Sequence, residues 1–263
     1  MNCVVVKLGG HALDALAPDS AVLVDLAHDV AALVSDGTNV VVVHGGGPQI
    51  GALLSTVGIE SRFHEGLRVT GPETMGYVAM ALGHVNLQVV AALNRAGLSS
   101  IGLSGADGSV VRATSLGPVW DRVGGDVKVQ GDVLAAIWAS GLTPVLNSVA
   151  VDDVGELLNC NADTVAGAVA GALGATTLVL LSDVDQLRAD LADGDSALST
   201  VTSAEVLELI DAGAVHDGMR PKMTAALDAL AGGARTVVLA NGARRHALRD
   251  TLARAIPTTQ VVA

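Results

Sequence analysis

Two glycine-rich loops near the N-terminus could hold phosphate oxygens. Residues 7–10 read Lys-Leu-Gly-Gly, a lysine at the end of a predicted strand followed by bare backbone N–H groups, and such nests of donors bind anions. Residues 44–48 read His-Gly-Gly-Gly-Pro, between a predicted strand and a helix whose N-terminus attracts negative charge. A tight turn is the alternative in each case, but three consecutive glycines exceed what most turns need. Neither GxxxxGK[ST] nor GxGxxG occurs, so neither a P-loop nor a Rossmann dinucleotide site is predicted.

Two further segments carry polar groups that suit an anionic substrate. Arg68 follows a glycine by two positions and could donate two hydrogen bonds to a carboxylate, or could be an ordinary surface arginine. Residues 159–163 read Asn-Cys-Asn-Ala-Asp at the start of an Ala-rich helix. There Asn161 could be only an N-cap and Asp163 only a complement to the helix dipole, but three such side chains exceed what capping requires. Asn159 could hydrogen-bond a substrate, while Asp163 could hold lysines in position.

Charged residues also mark the second half of the chain. Residues 182–185 read Ser-Asp-Val-Asp after an apolar predicted strand, the end at which α/β proteins present ligand-binding groups. These carboxylates could face a nucleotide's ribose, magnesium or only water. Lys222 stands at a predicted helix start, where a cation opposes the helix dipole at a cost of at most about 1 kcal/mol. A lysine in that place needs an anionic partner.

Short β-branched runs alternate with helical patterns, which predicts βαβ units and an α/β fold with a mostly parallel sheet. Strands are predicted at 3–8, 39–44, 100–103, 143–146, 177–181, 236–239 and 258–262. Helices are predicted at 21–35, from Pro48 onward, and at 73–96, 131–140, 162–173, 203–212 with Ser203 as N-cap, 222–231 and 243–255. A β-rich section with many turn residues is predicted at 105–128.

Composition and charge exclude several classes of protein. The formal charge is −12 and no basic cluster occurs, which argues against nucleic acid and anionic lipid as partners. Half of the residues are apolar but only 2% are aromatic, which suits a Val/Leu/Ala core around a parallel sheet. The uncharged stretch 164–182 reads as a buried helix and a buried strand rather than a membrane span. With no signal peptide evident and no motif at Cys3 or Cys160, a soluble cytoplasmic protein is expected.

Six segments, in this order, resemble the amino acid kinase family, and within it the enzymes that phosphorylate N-acetylglutamate. They read VKLGG, VHGGGP, GLRVT, LNCNAD, LLSDVD and DGMRPKMTAALDA. The resemblance covers nearly the whole chain and implies an open αβα sandwich around a central, mainly parallel sheet of about eight strands. It implies a single amino acid kinase domain over 1–263. An N-terminal lobe, about 1–175, would bind substrate and dimerise, and a C-terminal lobe, about 176–263, would bind nucleotide.

The same resemblance implies a reaction and its catalytic residues. The γ-carboxylate of N-acetyl-L-glutamate would attack the γ-phosphoryl group of ATP without a covalent enzyme intermediate, giving N-acetylglutamyl 5-phosphate for arginine biosynthesis. Lys7 and Lys222 would neutralise the transferring group, and Asp163 would orient the two lysines. Backbone N–H groups of Gly10 and Gly45 would add hydrogen bonds to it. Magnesium would be held mainly by the nucleotide phosphates, with no metal site of the protein's own.

Residues for the two substrates follow from the resemblance as well. N-acetylglutamate would be held by Gly45, Gly46, Arg68 and Asn159, with Arg68 on the α-carboxylate. The nucleotide would be bordered by Asp183, Val184, Asp185, Gln186, Leu187, Arg188, Ala214, Val215 and His216.

Alternatives and departures from the family pattern remain. One alternative is a lysine-biosynthesis kinase for aminoadipate or glutamate on a small acidic carrier protein, but this acidic chain shows no basic patch for such a carrier. Another is a catalytically silent ligand-binding protein on the same scaffold. Gly71-Pro72 replaces an Asp of many relatives and would loosen a helix start. Without an extra N-terminal helix before Lys7, we expect a homodimer insensitive to arginine. His11, His44 and His64 have no assigned role.

Overall fold

The computed structural model describes residues 2–9, 20–190, 193, 195–216 and 218–263. The helices are α1 (Ala21–Ser35), α2 (Gly47–Thr56), α3 (Pro72–Arg95), α4 (Gly131–Ala139), α5 (Ala162–Ala172), α6 (Ser203–Asp211), α7 (Met219–Ala231) and α8 (Ala247–Leu252). The strands are β1 (Cys3–Leu8), β2 (Asn39–His44), β3 (Phe63–His64), β4 (Leu67–Arg68), β5 (Ser100–Leu103), β6 (Val111–Ser115), β7 (Val123–Val129), β8 (Thr143–Asn147), β9 (Val149–Val151), β10 (Leu157–Cys160), β11 (Thr177–Ser182), β12 (Leu187–Arg188), β13 (Ala197–Leu198), β14 (Thr200–Thr202), β15 (Val237–Asn241) and β16 (Thr259–Val262).

The central sheet has eight strands in the order β14-β16-β15-β11-β1-β2-β8-β5. Every neighbouring pair is parallel except β15 and β16, which are antiparallel. Helices pack on both faces, because the Val- and Leu-rich central strands are apolar on both sides and must be covered on both. The predicted fold class, an αβα sandwich around a mainly parallel sheet, is confirmed.

The two faces of β1 pack against different helices because successive side chains of a strand alternate between faces. Val4, Val6 and Leu8 belong to a buried cluster that includes residues of α1, α3 and α8. Val5 belongs to the other buried cluster, which includes residues of α5 and α7. Lys7 has the same parity as Val5, so its side chain is directed to the α5 and α7 face. This alternation decides which helices can supply a partner for the lysine.

The predicted β-rich section is part of a small closed barrel formed by β6, β7, β9 and β10. Two hairpins, β3–β4 and β12–β13, lie outside both sheets. Glu65 and Gly66 have φ of 49° and 78° and close the first hairpin by a two-residue turn that favours glycine. The sequence did not predict these hairpins, because strands of two residues have no readable alternation.

The ends of three helices differ from the predictions, and the first of them is α7, which begins at Met219 rather than at Lys222. Ser203 was predicted to cap α6, but Thr202 does so: its Oγ1 accepts from the Glu205 N–H at 3.2 Å, and the Glu205 carboxylate accepts from the Thr202 N–H at 2.7 Å. The helix predicted at 243–255 is only α8, because His246 at its start has the left-handed φ of 48°. The uncharged stretch 164–182 is α5 followed by β11, as predicted.

Within the described part of the chain, one helix, α3, is long and apolar enough to cross a membrane. Its buried residues include Val78, Leu82 and Val85, which pack into the core. Met80 and Leu87 lie on the opposite face and are 65% and 67% exposed. The helix therefore serves as a core helix on one side and leaves an apolar face open on the other.

Helices α5 and α7 approach closely because glycines face backbone across their contact. A Cβ on Gly167 would lie 2.6 Å from the Ala225 carbonyl oxygen, and one on Gly171 would lie 3.1 Å from the Gly232 Cα. A larger residue at either position would therefore push the two helices apart. The close packing brings the N-terminal turns of the two helices together, and these turns carry Asp163 and Lys222.

Substituting Gly167 by alanine should separate these helices. We expect Gly167→Ala to lower the free energy of unfolding by about 1–3 kcal/mol, the usual cost of overpacking against backbone, measured by chemical denaturation. The control is Thr224→Ala on the exposed side of α7, which should change that free energy by less than about 0.5 kcal/mol. Equal stability of the two variants would contradict the role given to Gly167.

Candidate active site

Two lysines from distant parts of the chain share one buried carboxylate. The Lys7 Nζ lies 2.8 Å from Asp163 Oδ1, and the Lys222 Nζ lies 3.1 Å from Asp163 Oδ2. The Lys7 and Asp163 side chains are each 6% exposed and that of Lys222 is 16% exposed. Asp163 is thus more than a dipole complement, and Lys222 has the anionic partner that the sequence predicted for it.

The capping and the ion-pairing roles at the start of α5 fall to different residues. Asn161 is the N-cap: its Oδ1 accepts from the Asp163 N–H at 2.8 Å and from the Thr164 N–H at 3.3 Å. Because Asn161 satisfies these backbone donors, the Asp163 carboxylate is available to the lysines. The hypothesis that Asn161 caps the helix is confirmed.

Burial and charge act against each other on this cluster. Burial alone would raise the pKa of the Asp163 carboxyl, but the charges and hydrogen bonds of Lys7 and Lys222 outweigh it and lower that pKa. Burial lowers the pKa of Lys7, and the negative charges of Asp163 and Asp183 partly offset this. The two lysines therefore favour the ionised form of Asp163, and Asp163 in turn favours the protonated form of Lys7 in a place that disfavours an isolated ammonium. With both lysines protonated, the cluster has one positive charge in excess and can attract an anion.

The glycines of the two loops lie where neighbouring atoms would crowd a Cβ. A Cβ on Gly9 would lie 2.1 Å from the Lys7 Nζ, so a larger residue would displace the ammonium from its present position. A Cβ on Gly45 would lie 3.3 Å from the Ala162 Cβ, at the start of α5. A Cβ on Gly46 would lie 2.9 Å from Leu82 Cδ2. The predicted role of Gly10 concerns a residue outside the described part of the chain.

One cavity of about 270 Å³ opens beside the lysine cluster. Its lining contains all four residues predicted to hold the acyl amino acid, Gly45, Gly46, Arg68 and Asn159. Lys7 and Asp163 of the lysine cluster line it as well. Phe63, Leu67, Ile50 and Val123 add apolar surface. The structure thus brings the predicted substrate residues together.

Arg68 reaches the cavity from the β3–β4 hairpin. Its guanidinium donates to the Gly47 carbonyl at 3.1 Å and to the Ser61 hydroxyl, and it stacks over the Phe63 ring at 4.8 Å. These contacts fix a planar, multivalent donor at the rim. Across the cavity, the Asn159 Nδ2 donates to the Thr70 Oγ1 at 3.0 Å, which orients that amide. The arrangement can bind a carboxylate at one end and present a second one to the lysines.

A second cavity, of about 490 Å³, lies beyond the carboxyl ends of β11 and β15. Its lining includes all the predicted nucleotide residues except Val215, namely Asp183, Val184, Asp185, Gln186, Leu187, Arg188, Ala214 and His216. Val215 does not line it, because its side chain is buried in the core. Met219, three residues before Lys222, also lines this cavity. The second cavity therefore adjoins the helix that carries Lys222.

Comparison with known proteins decides the family. The protein-family model described as "Amino acid kinase family" matches residues 2–241. This chain belongs to the amino acid kinase family. The acetylglutamate kinase of Synechococcus sp. (strain CC9311) is 43% identical over 247 residues, which cover 93% of this chain and 85% of that relative. The predicted family, and with it the prediction of a kinase, are confirmed.

Solved structures support the same conclusion. Smu.665 from Streptococcus mutans UA159 superposes with a TM-score of 0.80 at 30% identity, over 91% of this chain and 94% of that one. The N-acetylglutamate synthase from Neisseria gonorrhoeae superposes with a TM-score of 0.83 over all of this chain and 59% of that one. At 22% identity the second likeness shows the fold alone.

Some residues of this amino acid kinase site were not found from the sequence. Arg244 pairs at 2.9 Å with Asp185, a residue that lines the larger cavity, and Asn241 and Met219 line that cavity as well. Ser148 lines the smaller cavity. Asn241 ends a parallel strand, where ligand-binding groups are expected, and that signal could have identified it. The other three have no sequence signal because contacts across the fold place them.

Removing the charge of Asp163 should expose its electrostatic role in this kinase. We expect Asp163→Asn to lower kcat by about 100-fold, the order found for lost electrostatic support of a transition state. The alkaline limb of the kcat profile should move to lower pH, because Asp163 raises the pKa of Lys7 and its loss lets the lysine deprotonate earlier. Steady-state ADP release across alkaline pH measures both effects.

The control for this variant is Asp153→Asn, which removes a 95% exposed carboxylate paired with Arg112. It should leave kcat and the alkaline limb unchanged. An unchanged limb in Asp163→Asn would mean that the aspartate does not control the protonation of Lys7.

Proposed function

We propose that this chain transfers the γ-phosphoryl group of ATP to the γ-carboxylate of N-acetyl-L-glutamate, giving N-acetylglutamyl 5-phosphate and ADP, a step of arginine biosynthesis. The single observation that carries the proposal is the Lys7–Asp163–Lys222 cluster between two cavities. One cavity has the donors for a small dicarboxylate, and the other lies at the strand ends where nucleotides bind α/β sheets. The 43% identical acetylglutamate kinase supports the choice of substrate.

The geometry suits direct in-line transfer. A carboxylate oxygen of the substrate forms a bond to the γ-phosphorus while the bond between that phosphorus and the β,γ-bridging oxygen breaks, and ADP leaves with the electron pair. Repulsion between a carboxylate and a polyphosphate opposes this approach. Lys7 and Lys222 offset that repulsion, and Asp163 holds both in position, so the protein contributes mainly positioning and charge stabilisation.

The substrate cavity favours a free acyl amino acid. Arg68 would take the α-carboxylate, Asn159 would hold the acylated end, and the γ-carboxylate would then face Lys7. Phe63 and Leu67 would contact the acyl methyl group. A carrier-bound aminoadipate would have to enter the same cavity on a chain with net charge −12, which repels an acidic carrier.

ATP fits the second cavity by position and by its chemical lining. Asp183 and Asp185 supply carboxylates, and the charge of Asp183 acts on Lys7, so this cavity and the lysine cluster are electrostatically connected. Magnesium supplies charge neutralisation on the phosphates when bound with the nucleotide. We place substrate binding in the lobe 1–175 and nucleotide binding in the lobe 176–263.

We also propose a cytoplasmic homodimer. Both cysteines are buried free thiols, in keeping with a reducing compartment. The open face of α3 carries the exposed residues Met80, His84 and Leu87. The charged residues of this helix, Glu73 and Arg95, lie at its two ends. A second copy of this chain would cover such an uncharged face by two-fold symmetry.

Turnover on a panel of acids tests the proposed reaction. Coupled ADP release with MgATP should occur with N-acetylglutamate and not with free glutamate, aspartate or α-aminoadipate, and hydroxylamine should trap the acyl phosphate. Lys222→Ala and Lys7→Ala should lower kcat by more than they raise KM, because their charges act on the transferring group. The Lys222→Ala protein excludes a contaminating kinase. ATP and substrate binding without ADP release would favour a silent binding protein instead.

Charging the open face of α3 tests the dimer. Met80→Glu with Leu87→Glu should convert the protein to a monomer in sedimentation equilibrium, because two like charges would face each other across a two-fold interface. The control is Leu207→Glu, at a 52% exposed position of α6, which should leave the mass unchanged. A double variant that remains dimeric would place the interface elsewhere.

A further inference from the structure

A buried histidine contacts the glycine loop, residues 45–47, from the side of the sheet that faces α3. His44, at the end of β2, is 0% exposed. Its Nδ1 lies 2.8 Å from the Gly45 carbonyl oxygen, and its Nε2 lies 3.0 Å from the Asn86 Nδ2 on α3. The same Asn86 Nδ2 donates to the Val145 carbonyl of β8 at 3.0 Å. A chain of hydrogen bonds therefore runs from β8 through α3 to the loop.

The partners in this chain determine the tautomer of His44. A carbonyl can only accept, so the amide nitrogen of Asn86, not its oxygen, must face Val145. The other N–H of that amide then points at His44 Nε2, which must accept. Nδ1 consequently carries the proton and donates to the Gly45 carbonyl. Burial lowers the pKa of His44 to about 4, so the ring is neutral at physiological pH and this donor is permanent.

Gly102 makes room for this arrangement. A Cβ on Gly102 would lie 1.9 Å from the Asn86 Oδ1, so only glycine on β5 accommodates the amide in this orientation. Three elements, α3, β5 and β8, thus hold the side chain of Asn86, which lines neither of the two cavities. Such convergence on Asn86 indicates that its orientation matters for what it supports.

The hydrogen bond to His44 determines where the next backbone donor points. In a trans peptide the C=O and the following N–H point in opposite directions. The Gly45 carbonyl is held toward His44, on the α3 face of the sheet, so the Gly46 N–H points toward the α5 face, where Lys7 and Asp163 lie. No acceptor for the Gly46 N–H occurs among the described residues. The Gly45 N–H, in contrast, donates to the Leu8 carbonyl at 3.4 Å.

We propose that His44, held by Asn86, is a positioning residue that aims the Gly46 N–H at the transferring phosphoryl group. The inference rests on the proposed function, and it shifts the principal loop donor from Gly45 to Gly46. The two charged amines and one aimed backbone N–H would then surround the phosphoryl oxygens from different sides. His44 neither exchanges a proton with substrate nor touches it.

Two amide substitutions separate positioning from packing. In His44→Asn the amide nitrogen is attached to Cγ, as Nδ1 is in histidine, and can still donate to the Gly45 carbonyl. In His44→Gln the amide is one bond further out, at the place of Nε2, and can contact Asn86 but not Gly45. Both bury a neutral amide of similar polarity. We expect His44→Gln to lower kcat about 10- to 100-fold with KM for MgATP changed less than about threefold, and His44→Asn to restore most of kcat.

A second measurement keeps the test independent of the substrate. In wild-type protein labelled with 15N-glycine, the Gly46 amide resonance should shift when MgADP and inorganic phosphate are added, and it should shift in His44→Asn but not in His44→Gln. Folded variants with equal losses of kcat, or equal Gly46 shifts, would overturn the positioning role. Wild-type protein without turnover but with the expected pattern of Gly46 shifts would refute the proposed substrate and leave the positioning role supported.

Discussion

The candidate active site depends on one buried ionic contact, in which two lysines share the carboxylate of Asp163. Two ammonium groups and a carboxylate lose most of their hydration there, a loss that only close pairing offsets. The cluster must therefore form as a unit, and it joins β1, α5 and α7 across more than half of the chain. Two ammonium groups beside one carboxylate leave an excess of positive charge, and among the described residues the two lysines form ion pairs with Asp163 alone. An anionic substrate and a polyphosphate would neutralise that charge.

Glycine is the residue that permits the ions to meet. On the backbone side, Gly9 leaves space for the Lys7 ammonium; on the helix side, Gly167 lets α5 approach α7. Each gives up a side chain that could have been buried, and glycine adds conformational entropy to the unfolded chain. The fold recovers stability from its Val- and Leu-rich sheet, which is buried on both faces. The geometry of the candidate site and the stability of the fold are thus supplied by different residues.

The two cavities divide the chemistry along one sheet edge. The smaller lies by the loop after β2, and the larger lies by the ends of β11 and β15, with the lysine cluster between the glycine loop and α7. Because parallel strands present all their carboxyl ends on the same side, a single sheet can place both ligands without a second domain.

The sequence by itself determined the long elements, because strands such as β1 and helices such as α1 have strong apolar patterns of their own. It also determined the family and most of the candidate site, because Lys7, Arg68, Asp163 and Lys222 lie in segments that resemble the family. Only the tertiary structure decided the contacts that the family resemblance did not imply. It buried Val215 away from the larger cavity, paired Arg244 with Asp185, and gave His44 its tautomer. The physical reason is that hydrogen bonds and ion pairs join residues far apart in the chain, whereas sequence patterns report only local periodicity.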